Sequence, residues 1–462
     1  MHTPARCWFS LLSVAALGLS ASAAEVRRPN IIVILADDLG YADVGFNGCK
    51  DIPTPHLDSL ARRGVRCSSG YVSHPFCSPT RAGLITGRYQ QRFGHENNPA
   101  WLPEDTKVGL PLSQVTLPQV LKDAGYATGA IGKWHLGAAP CFHPNQRGFA
   151  EYFGFLGGGH IYLPGAKGGP EYLIPLLRNN EPLELKEYMT DVLSREAAAF
   201  VARHKAEPFF LYVAYNAVHT PLQAPEKYLS RFAGISDERR RTYAAMTSAM
   251  DDGVGQVIEA LRDNGLERDT MVWFFSDNGG PPEAVAPTHN DPLRGNKGQV
   301  FEGGIRVPFV VTWPARLPKG KVYDEPVISL DVFATAAALA GAKVPASHKL
   351  DGVNIVPHLT GKAKEPPHAV LHWRTGGGAT WAIREGRYKL LQAAKDTAPQ
   401  LYDLQSDIGE TKDIAAEKPD VVAKLKQAHE AWNAELIPPI FESPRPAAKK
   451  AKKAAKAKAV AR

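Results

Sequence analysis

Most of the chain repeats one pattern of apolar and polar positions. From residue 29 to about residue 345, short β-branched or aromatic runs end in Gly, Asp, Asn or His, and a stretch with helical spacing follows each run. Such alternation is typical of a mostly parallel sheet with helices on both faces. The pattern therefore predicts an α/β fold with a doubly wound, mostly parallel sheet.

Four of these runs have the composition of fully buried strands, and each leads into polar residues. The runs are 31–35, 126–131, 209–213 and 271–275. In the same order, they lead to Asp37 and Asp38, Lys133 and His135, Asn216 and His219, and Asp277 and Asn278. Ligands of open parallel sheets bind outside the carboxyl ends of the strands. We therefore expect these distant residues to converge on one pocket.

The pattern changes at about residue 346, where short runs alternate with Gly and Asp. The runs are 369–373, 380–384, 388–391 and 400–404, and they predict a small antiparallel sheet. Residues 419–436 then place Val421, Val422, Leu425, Ala428 and Trp432 on one face of a predicted helix. We expect a main domain at 25–345 and a C-terminal subdomain of sheet plus helix at 346–440.

The two ends of the chain have compositions of their own. Residues 1–24 contain one positive charge at Arg6, an apolar stretch at 7–19 and small residues at 21–24, the layout of a secretory signal peptide. The apolar stretch is shorter than the ~20 residues that cross a bilayer. We therefore expect no transmembrane segment and export to the periplasm or the extracellular space. Residues 441–462 form an Ala/Lys tail that we expect to be disordered.

The formal net charge of +7 suggests a polyanion binder until its distribution is considered. Residues 445–462 hold eight cations and no acids, so the rest of the chain is nearly neutral. A solvated tail is the favoured interpretation, and loose attraction to acidic polymers is the alternative. We expect no nucleic-acid partner.

Four cysteines follow the predicted signal peptide: Cys49, Cys67, Cys77 and Cys141. In an exported protein, four cysteines usually form two disulfides. If Cys77 is consumed by a modification, three remain and at most one pair can form.

The Asp37-Asp38 pair alone indicates a turn or a helix cap more often than a functional site. The second cluster, Asp277-Asn278, also follows a buried run directly and changes this interpretation. Carboxylate and carboxamide oxygens are hard donors that suit Ca²⁺ or Mg²⁺. A divalent ion at this place would bind one oxygen of an anionic ester and lower the charge cost of attack on its central atom.

The stretch Cys77-Ser78-Pro79-Thr80-Arg81 is the second candidate site. Pro79 suits the first turn of a helix, so Cys77 is expected at a helix N-terminus, where partial positive charge favours an anionic oxygen. Without its neighbours, a disulfide would be the better interpretation of this cysteine.

These motifs resemble those of the type I sulfatases, a family within the alkaline phosphatase superfamily. The resemblance rests on the C-x-P-x-R signature at 77–81, followed by Thr86 and Gly87. It extends through blocks at 29–31, 37–40, 132–137, 219–221, 276–279 and 295–298. The blocks occur in family order over nearly all of the mature chain, so the resemblance implies an alkaline phosphatase-like fold.

The resemblance implies that a separate maturation enzyme oxidises Cys77 to formylglycine (3-oxoalanine), whose hydrate carries two hydroxyls on one carbon. One hydroxyl would attack sulfur and leave a sulfate hemiester on residue 77. The other would then lose a proton, so that the aldehyde re-forms and sulfate leaves. The resemblance also implies one divalent metal, Ca²⁺ before Mg²⁺, bound by Asp37, Asp38, Asp277, Asn278 and modified residue 77.

The same similarity implies roles for five further side chains. Arg81 would orient the hydrate, and Lys133 and Lys297 would neutralise sulfate oxygens. His135 would accept the proton from the second hydroxyl, and His219 would be the leaving-group acid, with Lys297 as a competitor.

Three residues are candidates for contact with the substrate. His160 follows three glycines in the loop 157–162, where backbone could approach a ligand closely, although an ordinary loop is as good an interpretation. His289 and Arg294 lie near Lys297 in the sequence and could line the rim of the site.

The resemblance implies an arylsulfatase-like sulfuric ester hydrolase that releases inorganic sulfate from a sulfated substrate, expected to be a carbohydrate. A phosphate or phosphonate monoester hydrolase of the same superfamily is the first alternative. The second is an inactive sulfated-glycan-binding protein, which should have lost at least one metal or nucleophile residue. None is missing from this chain.

Overall fold

A computed structural model describes residue 2 and residues 28–443 of the chain. The predicted signal peptide at 1–24, apart from residue 2, and the predicted tail from residue 444 onward lie outside the described residues. Among the helices of the described part, none combines the length and apolar character needed to cross a bilayer.

Strands and helices alternate along most of the described chain. The strands are β1 (Asn30–Ala36), β2 (Val65–Cys67), β3 (Gly70–Tyr71), β4 (Ala127–Lys133), β5 (Glu151–Phe155), β6 (Leu176–Arg178), β7 (Glu181–Leu183), β8 (Phe209–Ala214), β9 (Thr270–Ser276), β10 (Phe309–Thr312), β11 (Lys321–Tyr323), β12 (Val327–Ile328), β13 (Val370–Thr375), β14 (Thr380–Glu385), β15 (Tyr388–Gln392) and β16 (Gln400–Asp403). The α-helices are α1 (Pro55–Arg63), α2 (Cys77–Thr86), α3 (Leu117–Asp123), α4 (Met189–Arg203), α5 (Glu226–Leu229), α6 (Glu238–Asp263), α7 (Glu302–Ile305), α8 (Asp331–Ala340), α9 (Val356–Leu359) and α10 (Pro419–Asn433).

One large mixed sheet has the strand order β11-β2-β10-β9-β1-β8-β4-β5-β6-β7. Its central strands, from β9 to β5, run parallel to one another. Antiparallel strands extend it on both sides, with β10 next to β9 and β6 next to β5. The four predicted buried strands are β1, β4, β8 and β9 of the parallel centre, so the predicted α/β architecture is confirmed.

Helices cover both faces of this sheet because the side chains of each strand alternate between them. Ile32 and Ile34 of β1 pack on the face covered by α1, α4 and α6. Ile31, Val33 and Leu35 pack on the face covered by α2, α3 and α8. A strand that is apolar at every position is expected where helices cover both faces of a sheet, and this is the predicted doubly wound arrangement.

The C-terminal sheet is antiparallel, with the order β13-β14-β15-β16. One face buries Ile383 and Leu390 against Leu425 of α10. The other face buries Trp373 against Tyr71 of the larger part of the chain. The predicted antiparallel sheet with one helix is therefore confirmed, and this sheet also contacts the elements that carry the candidate site.

Candidate active site

The two acidic clusters meet because β1 and β9 are parallel neighbours, with Ala36 opposite Ser276. Asp37 and Asp38 follow β1, and Asp277 and Asn278 follow β9. The amide N–H of Asp38 donates to Asp277 Oδ1 at 3.2 Å, and Asn278 Nδ2 donates to Asp38 Oδ1 at 2.7 Å. All four side chains are buried. The predicted convergence at the carboxyl ends of the strands is present.

Cys77 is the first residue of α2, as its Pro79 neighbour predicts. Its Sγ lies 3.2 Å from Lys297 Nζ and 3.7 Å from Asp37 Oδ1. Burial raises the pKa of this thiol to about 12, although Lys133 and Lys297 act in the opposite direction. Because the thiolate is the nucleophilic form of cysteine, the unmodified side chain is a poor nucleophile here. In the described residues Cys77 forms no disulfide, nor do Cys49, Cys67 and Cys141.

Arg81 lies one helical turn after Cys77 and is fully buried. Its Nε and Nη2 donate to Asp277 Oδ2 at 3.1 and 2.7 Å, and its Nη1 donates to the Lys133 carbonyl at 3.0 Å. Arg81 therefore joins α2 to the ends of β9 and β4 and holds the Asp277 carboxylate in place.

Lys133 ends β4, and His135 follows two residues later. Lys133 Nζ donates to Asp37 Oδ2 at 2.5 Å. His135 adopts a left-handed backbone conformation, with φ of 59°, which is uncommon for a residue other than glycine and often marks a functional site. Burial lowers the pKa of His135 well below its ordinary value, and the positive charges of Lys133 and Arg81 act in the same direction, so the ring is uncharged.

His219 and Lys297 complete the ring of polar groups around Asp38. His219 Nε2 lies 3.6 Å from Asp38 Oδ2, and its Nδ1 is 2.6 Å from the Thr220 carbonyl. Lys297 Nζ donates to Asp38 Oδ1 and Oδ2 at 2.7 and 2.9 Å. Burial alone would raise the pKa of Asp38, but Lys297 and His219 hold it below its ordinary value.

The donor set fits a hard divalent cation. Ligand atoms of Asp37, Asp38, Cys77 and His219 all lie within 4.8 Å of one another. Asn278 Oδ1 is buried and has no hydrogen-bond partner, and a buried polar atom of this kind calls for an explanation such as an ion. Carboxylate and amide oxygens favour Ca²⁺ or Mg²⁺ over softer metals.

The three predicted substrate residues lie in different environments. His160 is buried, and its Nδ1 is 2.8 Å from the Ile161 carbonyl. The side chain of His289 is exposed, while its backbone N–H donates to Asp43 Oδ2 at 2.9 Å. Arg294 donates to Tyr402 Oη at 3.1 Å and to the Glu410 carbonyl at 2.8 Å, so part of its guanidinium binds the C-terminal sheet.

Two tyrosines beside His219 were not expected from the sequence. Tyr162 Oη donates to the His219 carbonyl at 2.8 Å and fixes that backbone. The ring of Tyr172 lies 6.4 Å from the His219 ring, centroid to centroid. The only sequence signal for them is the Gly-rich loop at 157–162, which contains Tyr162 and leads toward Tyr172.

A sequence model of the sulfatase family matches residues 29–342, which is more than half of the chain. The chain belongs to the sulfatase family. A second model, N-sulphoglucosamine sulphohydrolase, C-terminal, matches residues 296–435 of this sulfatase. Membership of the family implies a divalent metal and a formylglycine. This sulfatase hydrolyses sulfuric esters.

Characterised relatives match this sulfatase over most of its length. N-acetylgalactosamine-6-sulfatase of Sus scrofa is 36% identical over 411 residues, and the match covers 83% of this chain and 75% of the relative's chain. Arylsulfatase A of Bos taurus is 34% identical over 461 residues, covering 89% and 88%.

Solved structures share the fold. The crystal structure of Ps i-CgsB in complex with k-i-k-neocarrahexaose is 42% identical to this sulfatase, with a TM-score of 0.85 and coverage of 90% of this chain and 95% of that one. The phosphonate monoester hydrolase of Agrobacterium radiobacter, at 22% identity and a TM-score of 0.65 over 88% and 95% of the two chains, shares the fold alone.

Proposed function

We propose that this sulfatase acts on a sulfated carbohydrate and that residue 77, in its oxidised form, is the nucleophile. The position of Cys77 carries the proposal, because its Sγ lies at a helix N-terminus and 3.2 Å from the Lys297 ammonium. Both features stabilise negative charge that develops on an attacking or transferred oxygen. The sulfated amino sugar and the carrageenan oligosaccharide named for two relatives favour a carbohydrate substrate.

One divalent cation would be held by Asp37, Asp38, Asp277 and Asn278 together with residue 77. When bound, the ion would supply positive charge beside a sulfate oxygen. We favour Ca²⁺ because it accepts six to eight oxygen ligands in flexible geometry, whereas Mg²⁺ usually keeps several waters. The buried Asn278 Oδ1 without a partner supports this ligand set.

The remaining side chains would bind the ester and move protons. Arg81 would orient the hydroxyls of residue 77, and Lys133 and Lys297 would neutralise sulfate oxygens. His135, which is neutral because it is buried, would accept the proton of the second hydroxyl.

His219 would protonate the leaving alcohol, with Lys297 as the alternative acid. Burial lowers the pKa of His219 to about 4, against the opposing effect of Asp38. An anionic ester bound beside the ring would raise its proton affinity. His160, His289 and Arg294 are proposed to lie near the bound sugar.

Turnover of a sulfate ester and a phosphate ester of one chromogenic alcohol tests the reaction. We expect the sulfate ester to be preferred and Cys77→Ala to abolish turnover, while Cys49→Ala, a half-buried cysteine outside the site, retains it. Preference for the phosphate ester by a wide margin would overturn the proposal. Mass spectrometry of the peptide that contains residue 77 tests its oxidation, which we assign to a separate maturation enzyme.

Metal identity has its own experiment. Removal of bound metal with a chelator should abolish activity, and Ca²⁺ should restore it more fully than Mg²⁺. We further propose export to the periplasm or the extracellular space, which fractionation of the native host checks.

A further inference from the structure

A second concave site lies at the opposite edge of the large sheet. This basic cavity, of about 710 Å³, is lined by residues that precede β1 and β9 and by residues that follow β10, including Arg28, Arg268, Trp313 and Arg316. The acidic clusters of the candidate active site follow the other ends of β1 and β9, each seven residues long. At ~3.3 Å per residue, the two sites are roughly 20 Å apart.

The basic cavity carries uncompensated positive charge. Arg28, Arg268, Arg316 and Lys362 line it, and the single acid among its lining residues is Asp269. Within residues 28–443, none of these five side chains takes part in an ion pair. A cleft lined by one sign of charge concentrates ligands of the opposite sign, so its ligand should be an anion.

Trp313 lies in the wall of the basic cavity. The residue is 7% exposed, so only a small part of its ring faces the cavity. The guanidinium of Arg316 lies 5.9 Å from the Trp313 ring centroid, so a cation and part of an aromatic ring lie together in this wall.

An apolar wall completes the basic cavity, formed by Leu339, Val356 and Pro357. A sugar ring presents apolar C–H faces and hydroxyls, and a sulfate group presents oxygens that guanidinium groups bind well. The cations and the apolar wall together suit a sulfated sugar better than a small inorganic ion, which would contact the cations alone.

We propose that the basic cavity binds a sulfated segment of a polysaccharide, away from the segment that reaches residue 77. A chain held at this cavity raises the effective concentration of its other sulfate esters at the candidate active site. The ligand class rests on the proposed function, whereas the cavity and its charge do not.

Calorimetric titration of the Cys77→Ala protein with a sulfated carrageenan hexasaccharide tests this proposal. We expect two binding sites per chain. The variant Arg268→Ala/Arg316→Ala/Lys362→Ala should retain one. The matched control Lys50→Ala/Lys186→Ala/Lys395→Ala removes three exposed cations elsewhere and should retain both. In the otherwise native enzyme, the cavity variant should raise KM for a sulfated polysaccharide ~5-fold or more, with unchanged kcat/KM for a small aryl sulfate.

Tryptophan fluorescence gives a second readout, because saccharide binding should alter the Trp313 emission and Trp313→Phe should remove that change. One site in the parent, equal behaviour of both triple variants, or equal binding of a DNA oligomer of matched charge would overturn the proposal. Failure of the proposed function would look different, with no turnover of the aryl sulfate while the cavity still bound the hexasaccharide.

Discussion

The ammonium of Lys297 lies 3.2 Å from the sulfur of Cys77, although 220 positions separate the two residues in the chain. The same Nζ also donates to both carboxylate oxygens of Asp38. Lys297 is therefore the cation that joins the predicted nucleophile to the predicted metal ligands. This dual contact makes it the most informative single position to change.

Lys297→Ala should lower kcat/KM for a chromogenic sulfate ester by ~10²–10³-fold, the usual loss when one preorganised charge-stabilising donor is removed. Steady-state kinetics with the metal present measures the effect. Lys319→Ala, which removes an exposed cation, should change kcat/KM by less than twofold. Full activity of Lys297→Ala would show that Lys297 neither neutralises the sulfate nor protonates the leaving group.

Gly158→Ala should impair catalysis far more than folding. An added Cβ would lie 2.8 Å from Nε2 and 3.0 Å from Cε1 of His135, so the ring must shift from its present position. We expect a ~10-fold or larger fall in kcat, since general-base catalysis depends on hydrogen-bond distance. Gly234→Ala, where an added Cβ meets nothing within 4 Å, is the control. Equal kcat for both variants would contradict the role of His135.

Lys389→Met should destabilise the protein strongly. Lys389 Nζ lies 2.8 Å from both Glu302 and Glu410, and all three side chains are fully buried. Removing the shared cation leaves the buried Glu410 carboxylate without an ion-pair partner among the described residues and Glu302 with Arg306 alone, at a cost of ~3–5 kcal/mol in the free energy of unfolding. Urea denaturation measures it.

The matched control for this prediction is Lys424→Met, because Lys424 forms an exposed pair with Glu385. It should cost less than ~1 kcal/mol. A similar loss of unfolding free energy in both variants would show that the buried Lys389 ion pairs stabilise the protein no more than an exposed pair does. Glu302 begins α7, five residues after Lys297, so Lys389→Met also reports whether the C-terminal sheet stabilises this segment.

Asp251 should make folding stability fall as the pH rises. Burial raises the pKa of this carboxyl from 3.8 to about 6, while the backbone N–H groups of His56 and Leu57 at the start of α1 donate to it. The folded protein therefore binds more protons than the unfolded chain between these values, and this contribution weakens through that window.

Asp251→Asn removes the titrating group. The free energy of unfolding of the variant minus that of the parent should increase by ~2–3 kcal/mol as the pH rises from 4 to 7. Chemical denaturation at several pH values measures the difference, and Asp263→Asn, at an exposed position of the same helix, is the control. A difference that stays constant with pH would contradict the prediction.

The local patterns of the sequence determined the strands of the sheet centre and the polar residues that follow them. Buried runs such as 31–35 are apolar at every position, because β1 is covered on both faces, and this pattern is visible without knowing the neighbours. The sequence also indicated the position of the active site, because the carboxyl ends of parallel strands share one edge of the sheet. The C-x-P-x-R stretch placed Cys77 at a helix start through local backbone preference alone.

Only the tertiary structure decided which of these groups touch. Residues far apart in the chain meet at three places. Lys297 contacts Cys77, Gly158 lies next to the His135 ring, and Lys389 binds two glutamates in a buried cluster. The basic cavity likewise collects residues from five separate segments. Local preferences carry no information about such distances, because these contacts depend on strand order and side-chain packing. The sequence therefore determined the type of reaction and the edge of the sheet at which the active site lies. The tertiary structure determined which contacts hold the active-site residues in position.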